Sequence, residues 1–234
     1  MECMKQKALC VPEHLAASIL QKGFTPAHDG QMDGRLVDLM AHARPQCRAV
    51  TPLDSGMVWL APYVVAGNQA GHSCLVSRRK EPEADYFEPF SLGVTGYCRE
   101  NETADMAAAR ILLDTTGIPS QDVVRAGFSG FVWLSRSHYE ATHIGLIYRV
   151  LVDAPGNEVR CGACFKGKWM ERGDVFNLFN LDAMTPLSKY LFRRQGSSEL
   201  FMRLLATALD RAMFDVMTKM IEGGNVHEAS DLGC

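Results

Sequence analysis

Residues 96–118 read GYCRENETADMAAARILLDTTGI: a glycine, five residues, Glu102, seven residues, Arg110, and then Asp114, Gly117 and Ile118. The middle of this stretch predicts a helix over Thr103–Thr116. Thr103 stands at its start with Asp105 in the first turn, and MAAARILL is built from strong helix formers. Gly117 followed by Pro119 is a stop signal. On such a helix, positions 111, 114 and 115 are related as i, i+3 and i+4 and share one face. That face carries Ile111, Asp114 and Thr115, and of these only Asp114 offers a carboxylate to a cation.

The skeleton resembles the Nudix box: G, five residues, E, seven residues, R-E-U, one residue, E-E, one residue, G-U, with U aliphatic. Gly96, Glu102, Arg110, Leu112, Gly117 and Ile118 match that pattern, whereas Ile111, Asp114 and Thr115 stand where it has glutamates. A diphosphate hydrolase needs a hard cation at that face, held by carboxylate oxygens, to neutralise phosphate and activate water. The resemblance therefore implies Mg²⁺ or Mn²⁺ on a weakened site, with Asp114 and Glu102 as the candidate metal residues. Glu100 and Asp105 are further acids that could compensate from the loop and first turn. Arg110, by resemblance, orients the loop by pairing with an acidic group, most simply Glu102.

Further pieces extend the likeness. Tyr63-Val64-Val65, Ser77-Arg78-Arg79-Lys80, Phe90 through Gly96 (FSLGVTG), Thr142 through Tyr148 (THIGLIY), Gly167-Lys168-Trp169 and Leu187-Ser188-Lys189-Tyr190 occur in the order seen in a group of bacterial and phage MutT-type phosphoesterases. Tyr97 stands where that group has His. The resemblance runs from residue 9 to residue 194 or so and implies a pocket for a nucleoside-diphosphate-linked ligand. Its floor would be the sheet and its rim the loops at 81–89 and 135–142. Arg78 and Arg79 are candidate phosphate contacts, because a guanidinium matches that geometry, although on an alternating strand only one can face the pocket. Gly96 and His143 are further candidate ligand-binding positions. Glu102, Arg110, Asp114 and Glu140 are the candidate catalytic residues, with Glu140 or Glu171 as a late acid. Tyr139 and Trp133 are candidates for base stacking or, more commonly, for core packing.

Composition narrows the field. An apolar share of 47% in 234 residues is enough for a full core. A net charge of −3 gives no reason to expect general nucleic-acid or membrane-surface affinity. No apolar run approaches the roughly 20 residues of a membrane helix. Eight cysteines without a signal-peptide pattern read as reduced thiols in a cytoplasmic protein. Cys161 and Cys164 form a lone CxxC, better read as two thiols near a turn than as a zinc site.

In chain order, KALCVP reads as a strand, EHLAASILQKGF as a helix stopped at Gly23, RLVDLMAHA as a second helix, and QCRAVTPLD as extended chain. MVWLAPYVVAG predicts a buried strand interrupted at Pro62, and HSCLVSRR its hairpin partner. VVRAGFSGFVWL gives one strand or two. Residues 135–142 form a loop, HIGLIYRVLV is a strand, EVRCGACF a returning one, and GKWMERGDVFNLF passes from an edge strand into a helix start. LDAMTPLSKYLFRR reads as a helix, and SSELFMRLLATALDRAMFDVMTKMIEG as an amphipathic one.

This order predicts an α/β chain: an α/β/α sandwich around a mixed sheet, which is also the Nudix arrangement. The expected organisation is an N-terminal extension at 1–56 packed on the core, a Nudix-like domain at 57–194, a C-terminal helix at 195–222 and a tail at 223–234. Three functions fit. The first is ligand binding with weak or no hydrolysis. The second is an active Mg²⁺-dependent pyrophosphohydrolase with a rearranged site. The third is an interaction protein that works through its C-terminal helix. A homodimer stays open.

Overall fold

The computed structural model describes residues 7–27, 33–47, 55–68, 73–79, 91–135, 138–153, 159, 165–171, 174 and 188. The expected turn at 155–157, the cysteines 161 and 164, the loop at 81–89, the amphipathic C-terminal helix and, apart from Ser188, the helix expected over 181–194 lie outside the described residues.

Among the described residues, ten strands form one sheet: β1 (Lys7–Pro12), β2 (Gly23–Pro26), β3 (Arg44–Cys47), β4 (Met57–Asn68), β5 (Ser73–Arg79), β6 (Ser91–Leu92), β7 (Val94–Thr95), β8 (Val123–Trp133), β9 (His143–Val152) and β10 (Phe165–Glu171). Helices are α1 (Glu13–Ile19), α2 (Gly34–His42), α3 (Ala104–Thr116) and α4 (His138–Ala141). The main path runs β10-β5-β4-β9-β8-β2, with β1 joining β4 and β3, β6 joining β5, and β7 joining β4. The pair β4/β9 is parallel, from Trp59↔His143 to Asn68↔Val152, and the other pairings are antiparallel. The sheet is therefore mixed, and the α/β/α sandwich expected from the element order is what forms.

The two central strands carry near-continuous apolar runs because both of their faces are covered. From Val58 to Asn68 every residue of β4 is buried. Leu60, Val64, Ile144, Leu146 and Tyr148 meet Ala107, Ile111 and Leu112 of α3 in the main core. Pro62 does not interrupt β4. A proline lacks only the donor, and its carbonyl is satisfied twice, by Gly96 N at 3.2 Å and Thr95 Oγ1 at 3.0 Å. Near the box, β6 and β7 are separated by Gly93, whose φ of +88° suits glycine. A β-carbon there would lie 2.1 Å from the Val64 carbonyl oxygen.

Two helical expectations shift. The helix predicted to stop at Gly23 ends at Ile19, because Leu20 turns extended and is buried to 3% exposure, and Gly23 opens β2 instead. Within 135–142, the expected loop contains the helical turn α4, held by Trp133 Nε1 donating to Ala141 O at 2.9 Å. Among the described residues, no helix is long and apolar enough to cross a membrane. Cys10 and Cys98 are buried and carry no disulfide.

Candidate functional site

Helix α3 begins as its sequence dictates. Thr103 is the N-cap, with Oγ1 accepting from Met106 N at 3.2 Å. Gly117, at φ 73°, closes the helix in the left-handed cap, its N–H donating to Leu113 O. The buried stripe is 104, 107, 108, 111, 112, 115 and 116, the i, i+3, i+4 pattern of a helix lying on a sheet.

That stripe decides the fate of the predicted metal face. Ile111 is 2% exposed and Thr115 8% exposed, so both are turned into the core. Asp114 stands outside the stripe, its side chain 54% exposed. Ile111 reaches Gly96: a β-carbon on that glycine would lie 2.8 Å from Ile111 Cγ1. Gly96, a candidate ligand position, thus has a packing role, and its N–H is committed to Pro62 O.

Glu102 and Arg110 form the pair that the resemblance implied. Arg110 Nε donates to Glu102 Oε1 at 2.6 Å and Nη2 to Oε2 at 2.8 Å, a bidentate fork. Arg99 N also donates to Oε2, at 2.9 Å. The Arg110 hydrogen bonds, opposed by burial and reinforced by the Arg99 backbone, hold the Glu102 carboxyl below the usual carboxylate range. Arg110 Nη2 further donates to Tyr97 O at 2.8 Å. The Tyr97 hydroxyl is hydrogen-bonded to His143 Nε2 at 3.0 Å, and His143 Nδ1 to Thr142 Oγ1 at 3.1 Å. Tyr97 also sets its edge against Trp59. The box loop is thereby tied to the start of β9 through one tyrosine.

Asp114 has different neighbours. Its Oδ2 lies 3.7 Å from Arg110 Nη1 and 3.9 Å from Arg99 Nη2. The other acids near the loop are also engaged: Glu100 pairs with Lys7 at 3.3 Å, and Asp105 accepts from the Tyr148 hydroxyl at 2.7 Å. Burial and that bond push the Tyr148 phenol far up. Among the described residues, no three His, Cys, Asp or Glu side chains are grouped so as to hold a metal ion.

Among the described residues, the donor set does not fit a dication. The oxygen that would take one already lies between two guanidinium groups. For side chains this exposed, a unit-charge contact at 4 Å is worth about 1 kcal/mol or less. A divalent ion on that oxygen would meet repulsion of this order from both arginines.

Of the remaining candidates, Glu140 is buried on α4 and His143 is buried at the start of β9. Only the backbone of Arg78 and Arg79 is described. It closes β5 opposite Lys166 and Phe165 of β10. Trp133 is 1% exposed and belongs to the core, so it is not a stacking platform. Tyr139 is described by its backbone alone, and Glu171 ends β10 opposite Ser73. Arg99 was not singled out by spacing. It lies on the loop before α3, and no periodic pattern connects residue 99 to residue 114. Only the folded chain brings the two together.

No family model matches the chain, and no curated protein matches it by sequence. Solved structures do match it. The chain superposes on Tm1382, presented as a candidate Nudix hydrolase, with a TM-score of 0.61 at 17% identity, covering 79% of this chain and 95% of that one. The chain has the Nudix fold. Weaker likenesses include a Nudix hydrolase from Nitrosomonas europaea (TM-score 0.45, 13% identity, 56% of this chain and 84% of that one). Another is the bifunctional NMN adenylyltransferase/ADP ribose pyrophosphatase of Francisella tularensis, complexed with AMP and a manganese ion (TM-score 0.44, 18% identity, 57% of this chain and 39% of that one). The Tm1382 superposition alone carries the fold.

Proposed function

We propose that this protein uses a Nudix scaffold to bind a nucleoside-diphosphate-linked ligand, with weak or no hydrolysis. One observation carries the reading: on α3, two of the three positions that would hold a cation are buried non-ligands, Ile111 and Thr115, and the third, Asp114, faces two arginines. Without a bound dication there is no strong Lewis acid to stabilise the charge that builds up in phosphoryl transfer. The scaffold half of the box is retained, with Glu102 and Arg110 fixing the loop and tying it to Tyr97 and His143. A loop preorganised to this degree favours binding, because little order has to be imposed when the ligand arrives.

The test is a panel of nucleotides, ADP-ribose and nucleotide sugars followed by thermal shift and by phosphate release, each with Mg²⁺, Mn²⁺ or EDTA. Stabilisation by one ligand class that is indifferent to metal, without product, is the expected result. Metal-dependent turnover abolished by Asp114→Asn would establish a rebuilt hydrolase site instead. Silence in both readouts would move attention to a protein partner and the amphipathic segment at 195–222.

A further inference from the structure

A diphosphate carries at least two negative charges at neutral pH, and a protein that binds it without a dication must supply the positive charge itself. Two arginines face the exposed side of α3, and they are held in unequal ways. Arg110 is 20% exposed and spends Nε and Nη2 on Glu102 and the Tyr97 carbonyl. Arg99 is 40% exposed, and its guanidinium reaches Asp114 only at 3.9 Å. Its backbone, by contrast, is fixed. Arg99 N donates to Glu102 Oε2, Glu102 N donates to Arg99 O at 3.2 Å, and Arg99 bridges Ala8 of β1. Asn101, at φ 66°, completes the tight turn.

We propose that Arg99 takes the place of the dication, receiving the ligand's phosphate oxygens. Asp114 is then a positioning residue, which holds the guanidinium near α3 in the free protein and yields it when ligand binds. This rests on the binding function proposed above. The exchange is favourable because a solvent-exposed ion pair at this separation is weak, whereas a guanidinium fork on phosphate makes two short charge-assisted hydrogen bonds. Glu102 cannot exchange in the same way, since its bonds to Arg110 are short and shielded. Asp114 thereby has the opposite sign of effect from a metal ligand. Removing its charge frees Arg99 and tightens binding.

The experiment is isothermal titration of the full chain with ADP and with inorganic pyrophosphate, in EDTA and in Mg²⁺, for the unsubstituted protein, Arg99→Gln, Arg99→Lys, Asp114→Asn and the Arg99→Gln/Asp114→Asn double variant. Thermal unfolding of each serves as the folding control. Expected are equal affinities with and without metal, and a loss of about tenfold for Arg99→Gln, the usual effect of one hydrogen bond to a charged group. Arg99→Lys should recover part of that loss. Asp114→Asn should tighten binding a few-fold, and that gain should vanish in the double variant. Metal-independent binding that ignores both Arg99 substitutions overturns the role of Arg99 and leaves the binding function standing. Binding that needs Mg²⁺ and is lost in Asp114→Asn overturns both, as does an unsubstituted protein that binds neither probe.

Discussion

Glu102 and Asp114 are carboxylates of the same 23-residue segment, and both lie beside Arg110, but the fold treats them oppositely. Glu102 is 15% exposed, forked to Arg110 at 2.6 and 2.8 Å, and bonded to a backbone amide. Asp114 is 54% exposed and approaches the same guanidinium only at 3.7 Å. The difference teaches that the box has two separable halves. One sets the geometry of the loop and is anchored by burial. The other, the face where the Nudix box pattern has glutamates, sits partly in the helix's own packing stripe, where Ile111 and Thr115 are buried in the core.

The largest effect should come from forcing the second half back. Ile111→Glu places a carboxylate at a site 2% exposed, packed against Gly96, and should cost roughly 3 kcal/mol or more in a urea titration. An unchanged midpoint together with newly gained Mg²⁺ binding would break the comparison, because the face would then be open to rebuilding.

Next is Glu102→Gln, which removes the charge from a shielded fork and should cost roughly 2 kcal/mol. The same substitution sharpens the comparison through pH. The Glu102 carboxyl is held below its ordinary value of 4.5, first by the Arg110 hydrogen bonds. A group with a depressed folded pKa contributes stability that is present above its unfolded pKa and is lost as pH falls through the folded one. Stability measured from pH 5 downward should therefore fall more steeply in the unsubstituted protein than in Glu102→Gln. Parallel curves would show that Glu102 is not the charged anchor described here.

The smallest effect belongs to Asp114→Asn, within about 0.5 kcal/mol of the unsubstituted stability, as for exposed ion pairs generally. A loss as large as that of Glu102→Gln would mean that the two carboxylates are structural equals.

Much of this was legible in the chain itself. The helix over Thr103–Thr116, its Gly117 stop and the strand at His143–Val152 follow from local patterns, and local patterns are what caps, spacings and apolar runs report. The Glu102–Arg110 partnership came from the resemblance to the Nudix box. Pro62 misled because a missing donor matters only where a neighbour needs it, and β4 meets its neighbours there through the carbonyl. For Trp133 the sequence left base stacking and the more common core packing open, and the assembled sheet decided for the core.

The sequence by itself determined the α/β order of elements, the box spacing and the absence of two carboxylates from the helix face, because these depend on residue identity and separation along the chain. Only the tertiary structure decided that Ile111 and Thr115 are buried, that Tyr97 links the loop to His143, and that Arg99 faces Asp114. Those contacts join residues from different elements, and their energies exist only once the sheet has brought the elements together.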